Sequence, residues 1–381
     1  MSTAAPKAMF LDSIPSWGGG EKWCVETAHA LGDRGLEVRI GCAPGSELEA
    51  RAVGIGLSVW RIPSSGLAAP LASMKLSRYL TSESIDIVVA NVGRDLRMGA
   101  LACALSGKVL VQRRGIARPV KRDLIHRAIY RNQVSMVVAN CNAILDRMRE
   151  DVSFLPDEKV RVIPNAVELA ELSESRRASS RAALGLEPDQ VAVGMLGRLA
   201  PMKGLGNLLG AWRIVKQKLG AAQLFLGGTG EEESTLREIV ERLELTDSVH
   251  FLGFVRDPGS MLAAMDIFVL PSIRDEGCSN AVLEAMSHAL PCIVTNCGGL
   301  PELIESGRTG RVAPKNHADS LAEAISDFVT DPALCKSMGE RARATVESTY
   351  SVEAVTAEWA ALLTELTRPS AAGTSSSSSG P

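Results

Sequence analysis

Short runs of Val, Ile, Leu, Phe and Ala recur from one end of the chain to the other, and stretches with helical spacing of apolar residues separate them. The early runs cover residues 8–12, 37–41, 58–62, 86–91, 108–112 and 135–140; the later ones cover 191–196, 222–228, 248–253, 266–271 and 291–295. Strands with one wet face alternate apolar and polar residues. These runs are largely apolar throughout, which implies burial on both faces, as in a parallel sheet covered by helices. The series breaks once, over the polar Ser/Arg/Glu stretch 168–190. Six strands before the break and five after it predict two doubly wound α/β domains, 1–170 and 171–350. Such sheets bind ligands at the carboxyl ends of their strands, so a cleft between the domains is expected to hold the site. Residues 351–368 read as one further helix, with Val352, Val355, Trp359, Leu362, Leu363 and Leu366 near one face. It is expected to pack back on the N-terminal domain. The Ser-rich tail 369–381 is expected to be disordered.

Composition narrows the function classes. At 381 residues the chain exceeds one typical core. Its net charge of −3 gives no global basic field for nucleic acid. The eight cysteines are scattered without a Cys-x-x-Cys pair, and read as reduced, mostly buried thiols. No run approaches the ~18 apolar residues of a membrane span, and the N-terminus lacks the apolar core of a signal peptide. A cytoplasmic protein is the expectation.

The stretch "DEGCSNAVLEAM" (275–286) places Glu276 in a Gly/Ser loop and Glu284 inside an apolar run. On a helix, eight residues advance about 12 Å, too far for one metal ion or one scissile bond to be shared. Two such carboxylates reach the two ends of an extended ligand, or else Glu284 caps a neighbouring backbone and Glu276 is solvated. Ser279 is placed to N-cap a helix running to Pro291, whose N-terminal N–H groups form an anion site. In "GMLGRLAPMKGLGNLL" (194–209), Arg198 and Lys203 flank a strand-to-helix turn and can converge on a diphosphate. The phosphate-loop pattern GxxxxGK[ST] is absent. Gly228 and Gly230 make another tight turn, and "SWGGGEKW" (16–23) puts three glycines and Glu21 after the first strand, without a dinucleotide fingerprint.

In order and together these segments resemble the retaining nucleotide-sugar glycosyltransferases of family 4, which have the GT-B fold: two doubly wound Rossmann-like domains facing across a cleft. The resemblance runs from about residue 8 to 366. It rests on GGxE at 18–21, "VIPNAV" (162–167), "GRLAPMKG" (197–204), "GGTGEEESTL" (227–236), "VHFLGFV" (249–255), "DIFVLPS" (266–272), the Glu-x7-Glu element of 276–284 and "GGLPELIESGRTG" (298–310). It implies that Arg198 and Lys203 stabilise the leaving diphosphate, and that Glu276 holds sugar hydroxyls. Gly277, Cys278, Ser279 and Asn280 would hold sugar and phosphate through their backbone, and Glu284 the ribose. Gly19 and Gly20 would face the phosphate from the other domain, with Gly197 and Gly230 also donor-side. It implies front-face transfer with retention, no cofactor and no essential metal. The donor would be a nucleotide sugar, with UDP preferred as the commonest carrier. The acceptor would be a hydroxyl on a lipid-linked molecule, a polysaccharide or a small molecule, in envelope glycan, glycolipid or polysaccharide synthesis. A sugar-nucleotide epimerase and a non-catalytic sugar-nucleotide or glycan-binding protein are the alternatives on this architecture.

The chain departs from the family pattern in two places. Many relatives carry a His after the fifth strand, where this chain has Arg113 and Arg114; a family Ser is replaced by Cys141 or Asn142. With Glu21, the residues Arg113, Arg114 and Asn142 are candidates for acceptor or sugar contact. An Arg there reads a phosphate or carboxylate, or is a solvated loop charge. Residues 113–131 carry seven Arg or Lys against the single acid Asp123, with Leu124, Ile125, Ala128 and Ile129 as an apolar face. That segment is a core-packed helix with a basic outer side, or a peripheral contact with the anionic inner face of a membrane.

Overall fold

The computed structural model describes residues 5–63, 69–116 and 119–368. The Ser-rich tail and Arg118 of the basic segment lie outside them. The described residues form two sheets. The first contains β1 (Ala8–Asp12), β2 (Val38–Cys42), β3 (Val59–Arg61), β4 (Ile87–Ala90), β5 (Val109–Arg114), β6 (Val134–Ala139) and β7 (Val160–Val162). The second contains β8 (Val191–Leu196), β9 (Ala222–Gly227), β10 (Val249–Gly253), β11 (Ile267–Leu270), β12 (Cys292–Thr295) and β13 (Gly310–Ala313). Their orders are β3-β2-β1-β4-β5-β6-β7 and β10-β9-β8-β11-β12-β13, and the paired strands run parallel. Both sheets reverse winding direction beside their first strand, between β1 and β4 and between β8 and β11. Those two switch points are where doubly wound sheets open a crevice.

Apolar continuity accounts for the central strands: all five residues of β1 and all four of β4 and β11 are buried. The two strands absent from the apolar pattern, β7 and β13, are short and lie at sheet edges, where Arg161 and Arg311 interrupt them. The strandless stretch 168–190 holds a helix, Glu174–Ala183, N-capped by Ser173. Its arginines are anchors. Arg177 Nη2 and Arg181 Nη1 reach Asp266 at 2.5 and 3.1 Å, and Asp266 also accepts the Ala192 N–H at 2.8 Å.

The C-terminal helix Val352–Thr367 is N-capped by Ser351 and buries Val355, Trp359, Leu362 and Leu363 in the core of the first sheet. Trp359 lies 5.2 Å from Trp23 and 6.3 Å from Phe10, centroid to centroid, so the end of the chain completes the packing around β1. All eight cysteines are free and seven are buried. Among the described residues no helix is long and apolar enough to cross a membrane.

Trp359→Ala removes a fully buried indole that tertiary contacts alone hold. The expected loss is about 3–5 kcal/mol, measured as a lower urea midpoint. A loss below ~1 kcal/mol would show that the C-terminal helix is not part of the first core.

Candidate functional site

The loops leaving β1, β4, β8 and β11 converge at the two switch points, and the functional side chains follow from what each loop is forced to do. After β11 the chain passes Pro271 and Ser272 and turns through Asp275, whose φ of 63° is left-handed, a conformation Asp tolerates better than most residues. The turn folds Glu276 back into the protein, where it is 8% exposed. Its Oε1 accepts the Ser272 hydroxyl at 2.6 Å and forms an ion pair with Lys203 Nζ. Lys203 ends a short 3₁₀ turn, Pro201–Lys203, after β8. The next residue, Gly204, has φ 65°, and a Cβ there would lie 2.5 Å from the Pro271 carbonyl oxygen. Only glycine lets the β8 and β11 loops approach closely enough for Lys203 to meet Glu276.

Arg198 is placed differently. Its side chain is 71% exposed and turned outward to Glu231, at 2.9 Å, so the two cations of this loop do not converge in this structure. Gly197 and Gly230 are spacers. A Cβ on Gly230 would lie 2.1 Å from the Leu199 carbonyl oxygen, and the Gly197 N–H donates to the Gly227 carbonyl at 2.9 Å.

The helix Asn280–Ser287 begins where the spacing predicts and ends four residues before Pro291. Ser279 holds the N-cap position with extended φ, but its hydroxyl makes no capping bond, so the cap leaves the first-turn N–H groups to other acceptors. One turn on, Glu284 Oε1 lies 2.5 Å from Lys22 Nζ, which comes from the helix Gly19–Asp33 of the first half. Each glutamate of the Glu-x7-Glu element therefore holds a lysine, and the second pair crosses between the halves. A cavity of about 680 Å³ runs along this crossing, bordered by Lys22, Glu26, Asn165, Arg176, Asn280 and Glu284.

In the first half a chain of buried hydrogen bonds ties the strand ends together. Asp12, at the end of β1, accepts from Asn91 Nδ2 at 2.6 Å and from the Ile14 N–H at 3.0 Å. Asn91 Oδ1 accepts from Arg113 Nη1, and Asn165 Oδ1 from Arg113 Nη2, both at 2.7 Å. Asn165 Nδ2 then reaches the Cys278 carbonyl at 2.8 Å and Asn280 Oδ1 at 2.7 Å. Gly277 closes the same seam: a Cβ there would lie 2.7 Å from the Gly115 carbonyl and 2.8 Å from Asn140 Oδ1. Gly19 and Gly20 sit over this network, their Cβ positions 3.6 Å from Asn280 Nδ2 and 3.0 Å from Asn91 Nδ2.

Arg113 is thus neither a solvated loop charge nor a side chain projecting into open solvent. It is 3% exposed and stacks on Trp23 at 4.0 Å, and burial pulls its guanidinium down to about 10. Arg114 is half-buried near the Tyr130 hydroxyl. The Asn142 side chain is committed to Glu302, whose carboxylate accepts the Asn142 N–H, its Nδ2 and the Ala143 N–H at 2.7–2.9 Å. Sequence reading missed Asp12, Asn91, Asn165, Lys22, Ser272 and Glu302. Of these, Asn165 lies within "VIPNAV", Ser272 ends "DIFVLPS", Glu302 lies within "GGLPELIESGRTG" and Lys22 directly follows GGxE; Asp12 and Asn91 only close apolar runs and lie in no motif.

The basic segment also differs from the expectation. Its helix starts at Leu124, capped by Asp123, and buries His126, Ile129 and Tyr130, while Leu124, Ile125 and Ala128 face outward. The expected apolar face is therefore split. Arg122 pairs with Asp151 at 2.7 Å, and Arg127 and Arg131 lie over the Phe154 ring.

Comparison with known proteins finds similarity over most of the chain. The profile of the family described as Glycosyltransferase Family 4 matches residues 17–171, and that of Glycosyl transferases group 1 matches 176–345. The lipopolysaccharide core biosynthesis glycosyltransferase LpsE of Rhizobium meliloti is 27% identical over 350 residues, 91% of this chain and 96% of that protein. An uncharacterized glycosyltransferase of Haemophilus influenzae is 30% identical over 169 residues; the match takes in 44% of this chain and about half, 47%, of that protein. The crystal structure of Anabaena HepE in complex with UDP and glucose superposes with a TM-score of 0.80 at 23% identity, covering 94% of this chain and 99% of that one. The fold is GT-B.

Burial, reinforced by the charge of Asp12, raises the Glu21 carboxyl from its ordinary 4.5 to about 7, against the pull of the Gly18 and Glu21 N–H groups. The folded state therefore holds this proton more tightly than the unfolded chain does. Its contribution to stability is complete below about pH 4.5 and is lost as pH rises through about 7. Glu21→Gln, which cannot ionise, is expected to melt above the parent protein at pH 8, with the gap closing towards pH 4.5. Parallel melting curves across that range would contradict the assignment.

Proposed function

We infer that this chain, which belongs to the family 4 glycosyltransferases, moves a sugar from a nucleoside-diphosphate sugar to a hydroxyl acceptor with retention of anomeric configuration. UDP is the preferred carrier. The observation that carries this reading is the meeting of Lys203 and Glu276, delivered from the ends of β8 and β11 at one switch point. With donor bound, Glu276 turns from Lys203 to the sugar hydroxyls, still held by Ser272. Lys203 is released to the diphosphate, where its charge opposes the negative charge that grows as the leaving group departs. A preorganised cation acts most strongly there because water is displaced. Arg198, paired with Glu231 at the rim, swings inward by side-chain rotation alone. The N–H groups at the start of Asn280–Ser287 and the close backbone at Gly19 and Gly20 receive phosphate oxygens from opposite halves. Glu284 exchanges Lys22 for the ribose hydroxyls. The acceptor hydroxyl is deprotonated by the departing phosphate, so the reaction runs without a cofactor and without an essential metal.

The superposed UDP complex and the lipopolysaccharide relative support a UDP-sugar donor and an envelope-glycan, glycolipid or polysaccharide acceptor. Leu124 and Ile125, 84% and 58% exposed beside Lys121 and Arg122, support a peripheral contact of this face with an anionic bilayer. Charge reversal at Lys121, Arg122 and Arg127 is expected to abolish co-sedimentation with anionic vesicles; sedimentation unaffected by it ends the membrane reading.

Lys203→Met and Glu276→Gln are each expected to lower kcat about 100-fold or more, assayed as transfer from UDP-sugars. UDP alone should raise the melting temperature of the parent protein by several degrees when well above its Kd. If GDP or ADP does so instead, the carrier changes and the reading stands. If no nucleoside diphosphate shifts melting, the donor site has been misread.

A further inference from the structure

Beside the cleft, in the first half, lies a second cavity of about 550 Å³ whose described lining contains Arg94, Arg97, Arg113, Arg114, Lys121 and His126 and no carboxylate. That composition stands out in a chain whose net charge is −3. The other two large cavities are lined by acids as well as bases, among them Glu171, Glu174, Asp189 and Asp266 in one and Glu26, Glu168 and Glu284 in the other.

The acid-free lining follows from the fold. Val92 and Gly93 open the helix Gly93–Ser106, so its N-terminal turn faces the cavity, and Val92 supplies no side-chain cap. Arg94 and Arg97, three apart, stand on one side of that helix. Asp95, between them, lies outside the described lining; it accepts the Ser13 N–H at 2.8 Å and the Ser13 hydroxyl, so it meets Arg94 only through Ser13. Lys121 comes from the opposite wall, where the Val120 N–H bonds Asp151 at 2.8 Å and fixes its segment; among the described residues Lys121 forms no ion pair. Arg94 donates to Ser13 Oγ at 2.6 Å and has no carboxylate within ion-pair reach among the described residues. Arg97 holds Asp123 only at 3.4 Å. The buried end is polar and rigid, with Tyr130 on Gln112 and Arg113 on Asn91.

The cavity opens at the carboxyl ends of β4 and β5 and shares Gly115 with the seam, where a Cβ on Gly277 would lie 2.7 Å from the Gly115 carbonyl. It is therefore one residue removed from the loop that presents Glu276. We infer that this cavity is an acceptor subsite that binds a phosphate group carried by the acceptor, held by Arg94, Arg97 and Lys121 against the N-terminus of Gly93–Ser106. Guanidinium forks and an ammonium meeting at a helix N-terminus suit the several oxygens of a phosphate, and the volume leaves room for the rest of the molecule. The inference rests on the transfer reading above, which makes the cleft side of this half the acceptor side.

The test is calorimetric titration of the full chain, saturated with UDP, with glycerol 3-phosphate, and with glycerol and lactate as neutral and carboxylate counterparts. Glycerol 3-phosphate is expected to bind in the presence of UDP, and Arg97→Ala and Lys121→Ala each to weaken it about tenfold or more. Arg97→Lys should restore part of the loss. Lys218→Ala and Arg242→Ala, which remove exposed charges elsewhere, should leave binding unchanged. Vesicles containing phosphatidic acid separate the sources: competition between vesicles and glycerol 3-phosphate shows a lipid-borne phosphate, and binding of glycerol 3-phosphate alone a soluble one. Displacement by UDP, indifference to the Arg97 and Lys121 substitutions, equal binding of lactate, or no binding overturns the inference. The melting shift with UDP, read on the same samples, decides the transfer reading separately, and the Arg97 and Lys121 variants decide this one even where UDP does not bind.

Discussion

The bonds from Arg113 to Asn91 and Asn165 tie the strand ends of the first half to the loop of the second that carries Cys278 and Asn280. A guanidinium removed from water this completely is costly unless its donors are satisfied. Here two amide oxygens at 2.7 Å and the face of Trp23 satisfy it, with no carboxylate in direct contact among the described residues. Asp12 and Glu21 act on it only through space. Because both amide oxygens face the arginine, both amide nitrogens face the other way. Asn91 must donate to Asp12, and Asn165 must donate into the second half, to Cys278 and Asn280. The orientation of two asparagines thus carries positional information from β1 to the loop that presents Glu276. The requirement is steric as well as polar, since the Gly115 carbonyl packs against Gly277, where any side chain would collide.

The same seam explains why the cleft holds charge before any ligand arrives. Glu276 and Glu284 come from one loop and helix, yet their lysines come from different halves, Lys203 from the β8 loop and Lys22 from the helix after β1. The first pair is internal to the second half and keeps the carboxylate and the cation within reach of one ligand. The second joins the halves and contributes to closure. A diphosphate entering between them would weaken both pairs at once, since it competes for the lysines while its sugar and ribose compete for the carboxylates. On the proposed reading, binding and rearrangement of the cleft would thus be coupled by charge. Lys22 and Glu284 are partly exposed, so separating that pair costs little; Glu276 is nearly buried, and losing Lys203 there costs more unless a ligand replaces it beside Ser272.

What the sequence makes legible is what burial on both faces imposes. The central strands are readable because apolar residues dominate them, whereas β7 and β13 are short edge strands with arginines that edges tolerate. Glu276 and Glu284 are legible as candidates because their spacing is local to the turn after β11, and Lys203 because it is local to the turn after β8. The direction of Arg198 is not, because it depends on Glu231, a neighbour brought near by a different strand. Arg113 reads as exposed for a related reason: its partners are uncharged asparagines distant in sequence, at 91 and 165, and nothing in "VLVQRRGIARP" marks one arginine as interior. The split of the Leu124–Asn132 helix also escapes a pattern reading, since its apolar residues exceed what one face can bury. The residue type says that Leu124 and Ile125 prefer an apolar contact; only the packing of His126, Ile129 and Tyr130 says that the protein itself does not supply it.

Position along the sheet then separates the roles of the charged groups. Arg113 sits one residue before the end of β5, inside the layer, so its charge is spent on holding strand ends in place. Arg94, Arg97 and Lys121 lie beyond the strand ends, where the sheet no longer shields them and water or a ligand can reach them. Moving a cation by one or two residues across that boundary changes it from a structural group to a ligand-binding one. An Arg where the resemblance expects a His could therefore leave the donor side of the second half intact and still alter what the first half recognises, because the interior cation and the rim cations line one cavity.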